Sequence, residues 1–270
     1  MPKQLIVSAD DYGLSLEVNE AVERAHRDGI LRSASLMVGA PAANDAIRRA
    51  RELPTLHVGL HLVLVNGRPI LPARDVAPLV DDAGNFPRDL VAAGFRFFFH
   101  PGARRALEAE IRAQFEAFAQ TGLQLDHVNA QNHMHVHPTV LGIVIKVGRE
   151  YGLRAVRVPA EPHDAAFLRP WLALMRWRLQ RAKIATNDTV YGIRYSGHMT
   201  RERVLALLDR LPAGICEMYF HPATGPWDGI DPQIADYDFA GELDALTSSE
   251  VRTKLDAAGI ATLAYSDLHA

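Results

Sequence analysis

The feature that most constrains this chain is an alternation of two periods. Apolar runs of strand length recur as "QLIVSA", "SASLMVGA", "LHVGLHLVL", "LQLDHVNA", "RAVRVP", "ICEMYF" and "GIATLAYS". Between them lie stretches of helical period at 15–28, 41–52, 103–121, 138–151, 200–210 and 248–258. Strand then helix, repeated along the chain, predicts a parallel sheet with helices packed outside it. Seven or eight such units in 270 residues favour an α/β fold of the distorted (β/α) barrel kind, TIM-barrel-like and a single domain over 1–270, rather than an open doubly wound sheet.

Several boundaries have local chemical support. Ser15 precedes "LEVNEAVERAHRDG", with Glu17 in the first turn and Gly29 near the end, and Pro138 suits the first turn of a helix. The stretches 66–100 and 160–198 lack steady periodicity and read as excursions that cover or shape a site.

Composition excludes several classes. The net charge of −3 argues against nucleic acid as a main partner, since a phosphate-binding surface shows as a basic excess. The single cysteine, Cys216, excludes an internal disulfide or a cysteine-based metal cluster, and its setting in "GICEMYF" suggests a packed thiol. No apolar run approaches the roughly 18 to 20 residues that span a bilayer, and "MPKQLIVSADDYG" enters a strand at once instead of beginning with a signal peptide. The expectation is a cytoplasmic protein.

In a parallel βα fold, reactive groups collect at the carboxyl ends of the strands. Asp10 and Asp11 follow the first run, His61 ends the third, His133, His135 and His137 follow the fourth, and His221 follows "ICEMYF". The bland readings are a turn cap for the aspartates, a satisfied core histidine for His61 and a solvated strand face for "HMHVH", whose alternate spacing puts three rings on one side of an extended chain. Taken together, four strands aim Asp or His at one rim. A divalent ion bound by one carboxylate and two neutral imidazoles is what a hydrolytic metal enzyme needs, with a second carboxylate free to take a proton from water. The adjacent aspartates supply both roles.

These segments together resemble the YdjC-like carbohydrate deacetylase family, the group of the chitooligosaccharide deacetylases, through "LIVSADDYGLS", "VGLHLVL", "NHMHVHP", "VRVPAEP" and "EMYFHPA". Within it the chain is most similar to the hopanoid-biosynthesis-associated (HpnK) branch. The resemblance implies a distorted barrel, one divalent metal ion (Zn2+ or Mg2+) on Asp11, His61 and His133, and Asp10 as general base. His221 takes the position of a general acid or substrate contact, with His135 in reserve. Tyr12, Gln131 and the "HPA" after Phe220 depart from the wider pattern.

The implied reaction is removal of an N-acetyl group from an amino sugar, and the branch implies an N-acetylglucosaminyl hopanoid, a sugar on a polycyclic lipid. The segment 168–183 mixes Trp171, Leu174 and Trp177 with arginines, as in a basic amphipathic helix that contacts a membrane surface or one that packs on the barrel. The aromatic cluster "GFRFFFHPG" reads as core or as a wall for an acyl group. Two alternatives stay open: another divalent-metal hydrolase, phosphoesterase or amidohydrolase, and a non-catalytic protein that binds sugar or lipid. Amidohydrolases usually carry HxH on the first strand, which here bears Asp-Asp.

Overall fold

The structure, a computed structural model, describes residues 2–162 and 168–269. Its elements in chain order are β1 (Lys3–Tyr12), α1 (Leu16–Arg27), β2 (Ser33–Leu36), α2 (Ala43–Arg51), β3 (His57–Leu62), α3 (Leu90–Phe99), α4 (Pro101–Gln120), β4 (Val128–Ala130), α5 (Pro138–Glu150), α6 (Arg169–Arg181), β5 (Thr189–Tyr191), α7 (Arg201–Asp209), β6 (Gly214–Phe220), α8 (Phe239–Thr247), α9 (Ser249–Ala257) and β7 (Ala261–Leu263). The six helices expected from periodicity form within two residues of their predicted ends. Ser15 Oγ accepts from Val18 N–H at the start of α1, and Pro138 opens α5, as their positions in the sequence suggested.

Every ladder is parallel, in the order β4-β3-β2-β1-β6-β5. β7 pairs with Gln4–Ile6 of β1, on the edge that β2 takes over from Ser8 onward. Beyond β4 the ring continues through single bridges from Val128 to Val156 and from Ala155 to Ala185. Between 158 and 187 the ladder gives way to one buried side chain. Asn187 Nδ2 donates to the Val158 carbonyl (2.9 Å), and its Oδ1 accepts from Val158 N–H (2.7 Å). Above it, Val190 N–H donates to the Ala160 carbonyl (2.9 Å) and β5 pairs with β6, so the α/β barrel is closed but distorted.

Two expectations about local structure need correction. The run "LQLDHVNA" yields only three residues of strand, and "RAVRVP" yields only the bridge residues 155 and 156. The excursions also contain regular structure: α3 lies in 66–100 and β5 in 160–198, where α6 falls within the helix read at 168–183.

The alternation along β1 separates two environments. Leu5, Val7 and Ala9 join the large apolar cluster between sheet and helices, whereas Ile6 packs with Tyr265 and Ala155 in a small one inside the ring. Ser8 and Asp10 continue that inner face. Registers place Glu217 beside Ile6 and Tyr219 beside Ser8, and His61 beside Asn129. The lumen is therefore mostly polar, and its upper layer is where the site lies. Gly59 makes room within it, because a Cβ there would stand 2.5 Å from the His127 ring.

Candidate active site

Neighbouring residues on a strand point to opposite faces, so Asp10 and Asp11 should not share a cavity. A bulge lets them do so. Between the Ala9–Ala34 and Tyr12–Leu36 pairs β1 holds one more residue than β2, and Asp11 is left-handed (φ 62°), a conformation that Asp tolerates better than most residues. Both carboxylates then line one cavity of about 290 Å³ with His61, His133, Tyr219, His221 and Tyr237. Asp10, Asp11, His61, His133 and His221, all singled out from the sequence, thus meet at one rim.

Asp10 is the most heavily bonded of them. Arg157 donates to both its oxygens, Nη1 to Oδ2 at 2.5 Å and Nη2 to Oδ1 at 2.9 Å, while Ser35 (3.0 Å) and Asn129 (2.9 Å) also donate to Oδ1. Burial alone would raise its pKa, but the Arg157 charge, helped by His61, holds the carboxyl well below its ordinary range. Oδ2 keeps an open lone-pair direction.

Arg157 is itself fully buried, pairs with Glu217 through Nε (2.9 Å) and Nη2 (2.8 Å), and lies 4.6 Å from the Tyr219 ring centre. Glu217 also accepts from Ser8 Oγ and Tyr265 OH, both at 2.6 Å. A second chain of contacts reaches Asp10 from below. Asp126 Oδ2 accepts from His127 Nδ1 (2.8 Å), His127 Nε2 meets Ser35 Oγ (2.9 Å), and Ser35 donates to Asp10. Burial raises the pKa of Asp126, but its bond with His127 prevails and brings it to about 2.

Arg157, Glu217, Asn129, Ser35 and His127 were not expected. A signal for the first two was present: Glu217 interrupts "ICEMYF" and Arg157 interrupts "RAVRVP", and a charge inside a strand-length apolar run needs a partner.

His61 and Asp11 form the pair most suggestive of a cation site. Asn129 donates through its amide nitrogen to Asp10 and Ser35, so its Oδ1 must accept from His61 Nδ1 (2.7 Å). In a neutral His61 this leaves the Nε2 lone pair facing Asp11 Oδ1 at 3.3 Å. Two acceptors at that distance call for a positive charge between them. Burial pulls the His61 pKa down, but the Asp10 and Asp11 carboxylates outweigh it and raise it. Asp10, Asp11 and Glu217 against Arg157 also leave an excess of negative charge.

His133 lies beside this pair in the cavity, with Nε2 3.3 Å from Tyr219 OH and a buried Nδ1 that has no partner; burial first, then Arg157, brings its pKa to about 3. The donor chemistry fits a divalent ion on Asp11, His61 and His133. Among the described residues, however, no three such side chains stand gathered as a finished cage.

The "HMHVH" stretch is not an extended strand. Residues 131–136 form a 3-10 turn in which Asn132 and His133 are left-handed (φ 51° and 53°), so the three rings part. His135 leaves the cavity, fully buried, and its Nε2 meets the Arg157 carbonyl at 2.9 Å, which removes it as a reserve acid. His137 packs edge-on against Phe97 and Phe98. His221 stays at the rim. Its backbone N–H donates to the buried Glu242, whose pKa burial raises, and its Nδ1 is buried without a partner. Cys216 is a packed thiol as expected, pushed by burial up to about 11.

Fold and site define a class: a parallel α/β barrel-like protein whose strand ends hold a charge-paired cluster of carboxylates and imidazoles. The family model for YdjC-like proteins matches residues 4–257, and the chain belongs to that family. It is 36% identical over 227 residues to a carbohydrate deacetylase of Geobacillus stearothermophilus, covering 83% of this chain and 80% of the relative. A carbohydrate deacetylase of Brevibacillus brevis is 32% identical over 269 residues, 98% of this chain and 99% of the relative. Among solved structures, a protein of Enterococcus faecalis V583 named for cellobiose-phosphate cleavage superposes with a TM-score of 0.82 at 28% identity, covering 99% of both chains.

Proposed function

We propose that this protein is a metal-dependent hydrolase that removes the N-acetyl group from an N-acetylated amino sugar. The observation that carries this reading is the bulge that turns Asp10 and Asp11 into one cavity with His61, His133 and His221. The relatives named as carbohydrate deacetylases support it.

Asp11, His61 and His133 would hold the ion, which when bound polarises a carbonyl and acidifies water. Asp10 stays ionised because of Arg157 and takes the proton of the attacking water at Oδ2. Its other oxygen is saturated, which fixes the direction of transfer. Asn129 orients His61 through Nδ1, leaving Nε2 aimed at Asp11. His221 gives a proton to the departing amine, since an amine anion does not leave unaided at neutral pH.

The finer substrate is an N-acetylglucosaminyl hopanoid. A second cavity of about 310 Å³, lined by Met37, Val63, Ile70 and Trp227, adjoins the first over Asp11, Asn66, Gln131 and Ile234. An apolar chamber beside a polar one suits a sugar joined to a lipid. A phosphorylated substrate is disfavoured, because among the described residues that line the first cavity two are aspartates and none is Lys or Arg.

The test is acetate against phosphate release from N-acetylglucosaminyl lipids and chitin fragments, with metal analysis of the purified protein. Chelation should abolish turnover and added Zn2+ or Mg2+ restore it. Asp10→Asn should keep the metal and lose about 10²–10⁴-fold in kcat. Near-normal turnover in that variant would remove Asp10 as the base.

A further inference from the structure

The helix α3 reads "LVAAGFRFFF", and only Ala93 and Phe97 of it are buried. Val91, Phe95 and Phe99 are 68%, 63% and 69% exposed, and their spacing of four puts them on one side of the helix, with Phe98 (42%) beside them. A monomeric protein rarely leaves so continuous an aromatic face to water. The sequence suggested core or an acyl-binding wall; the structure leaves the face open to solvent.

The helix α6 meets the same turn as α3, just before α5. His137, just before α5, packs against Phe97 and Phe98 of α3, while Val136 accepts from Trp171 Nε1 of α6 (3.0 Å), so both helices abut the start of α5. α6 buries Leu172, Met175 and Leu179 and exposes Leu174 (42%) and Trp177 (52%).

The charge within these two segments has one sign, and Asp89, which caps the start of α3, is the carboxylate at their edge. Residues 90–105 and 168–183 hold eight of the 29 Lys and Arg and none of the 32 Asp and Glu, in a chain whose net charge is −3. Arg104 stacks over Phe98 and Arg181 over Trp177, so cations frame the exposed rings.

We propose that the outer face of α3, together with α6, is a docking surface for an anionic lipid bilayer. Aromatic side chains enter the interface while the arginines meet lipid phosphates. The charge decides against a second copy as the occupant, because a two-fold contact would set like charges against each other. Leu90, the first residue of α3, lines the site cavity, so docking would hold the cavity mouth at the membrane. The inference does not depend on the reaction at that site.

The experiment is co-sedimentation of the full chain with vesicles of phosphatidylcholine and phosphatidylglycerol at roughly three to one, and with pure phosphatidylcholine. The protein should sediment with the anionic vesicles at low salt, less at high salt and little with the zwitterionic ones. Phe95→Ser with Phe99→Ser should lower partitioning about tenfold or more, with an unchanged circular dichroism spectrum. Arg105→Glu with Arg181→Glu should also lower it. The proposal fails if the wild type ignores anionic vesicles, if the serine variant binds as well as wild type, or if ultracentrifugation finds a dimer that those substitutions dissolve.

Discussion

Arg157 decides the electrostatics of the molecule's most expensive region. Two carboxylates, Asp10 and Glu217, share its guanidinium in full burial, and each is further saturated by hydroxyl or amide donors. Breaking such a pair leaves a buried charge uncompensated, which is far costlier than losing a surface ion pair. Glu217→Gln keeps the shape but turns an amide towards Arg157, Ser8 or Tyr265, all of which donate to the wild-type carboxylate. The expected loss is about 3–5 kcal/mol in urea unfolding. A loss under about 1 kcal/mol would mean that water or a rearranged Asp10 replaces the lost contact.

At the scale of elements, much of the architecture was legible. Periodicity marked six helices because each carries an apolar stripe, and it marked the strands because a parallel sheet is apolar along whole runs. α3 escaped because its aromatic face does not face the core, and β5 because it is three residues long. The ends of the strands pointed to Asp10, Asp11, His61, His133 and His221, which come from four separate segments yet needed only a common rim. The supporting network was not legible, since Asn129, Ser35 and His127 act through partners that only the register brings near. The alternate histidines misled for a related reason: two left-handed residues undo the period on which the inference rested. Asn187 is another silent position. Its amide replaces a stretch of ladder between 158 and 187, so Asn187→Leu should cost about 2–4 kcal/mol by stranding the Val158 N–H and C=O. Thermal or urea unfolding reads this directly, and a neutral outcome would mean that the barrel closes without it.

For the molecule as a whole, acid stability follows from imidazoles buried in neutral form. Burial first, then the charges of His133 and Arg157, hold His135 well below its ordinary pKa, and its ring meets a backbone carbonyl in place of solvent. The unfolded chain takes up a proton near pH 6.5 and the folded one does not, so this contribution is complete above about 6.5 and is lost as the pH falls below it. At pH 5 it amounts to about 2 kcal/mol, and His135→Gln, which keeps a donor for the Arg157 carbonyl, should reduce the difference in unfolding free energy, read from urea titrations at pH 7.5 and 5, by about that much. An unchanged difference would assign the acid sensitivity elsewhere. The extra residue in β1 has a consequence for design. A regular strand presents one side chain per rim position, so no succession of point substitutions on it yields two consecutive carboxylates over the same opening. Anyone transplanting this arrangement to another scaffold therefore has to carry the backbone kink along with the aspartates.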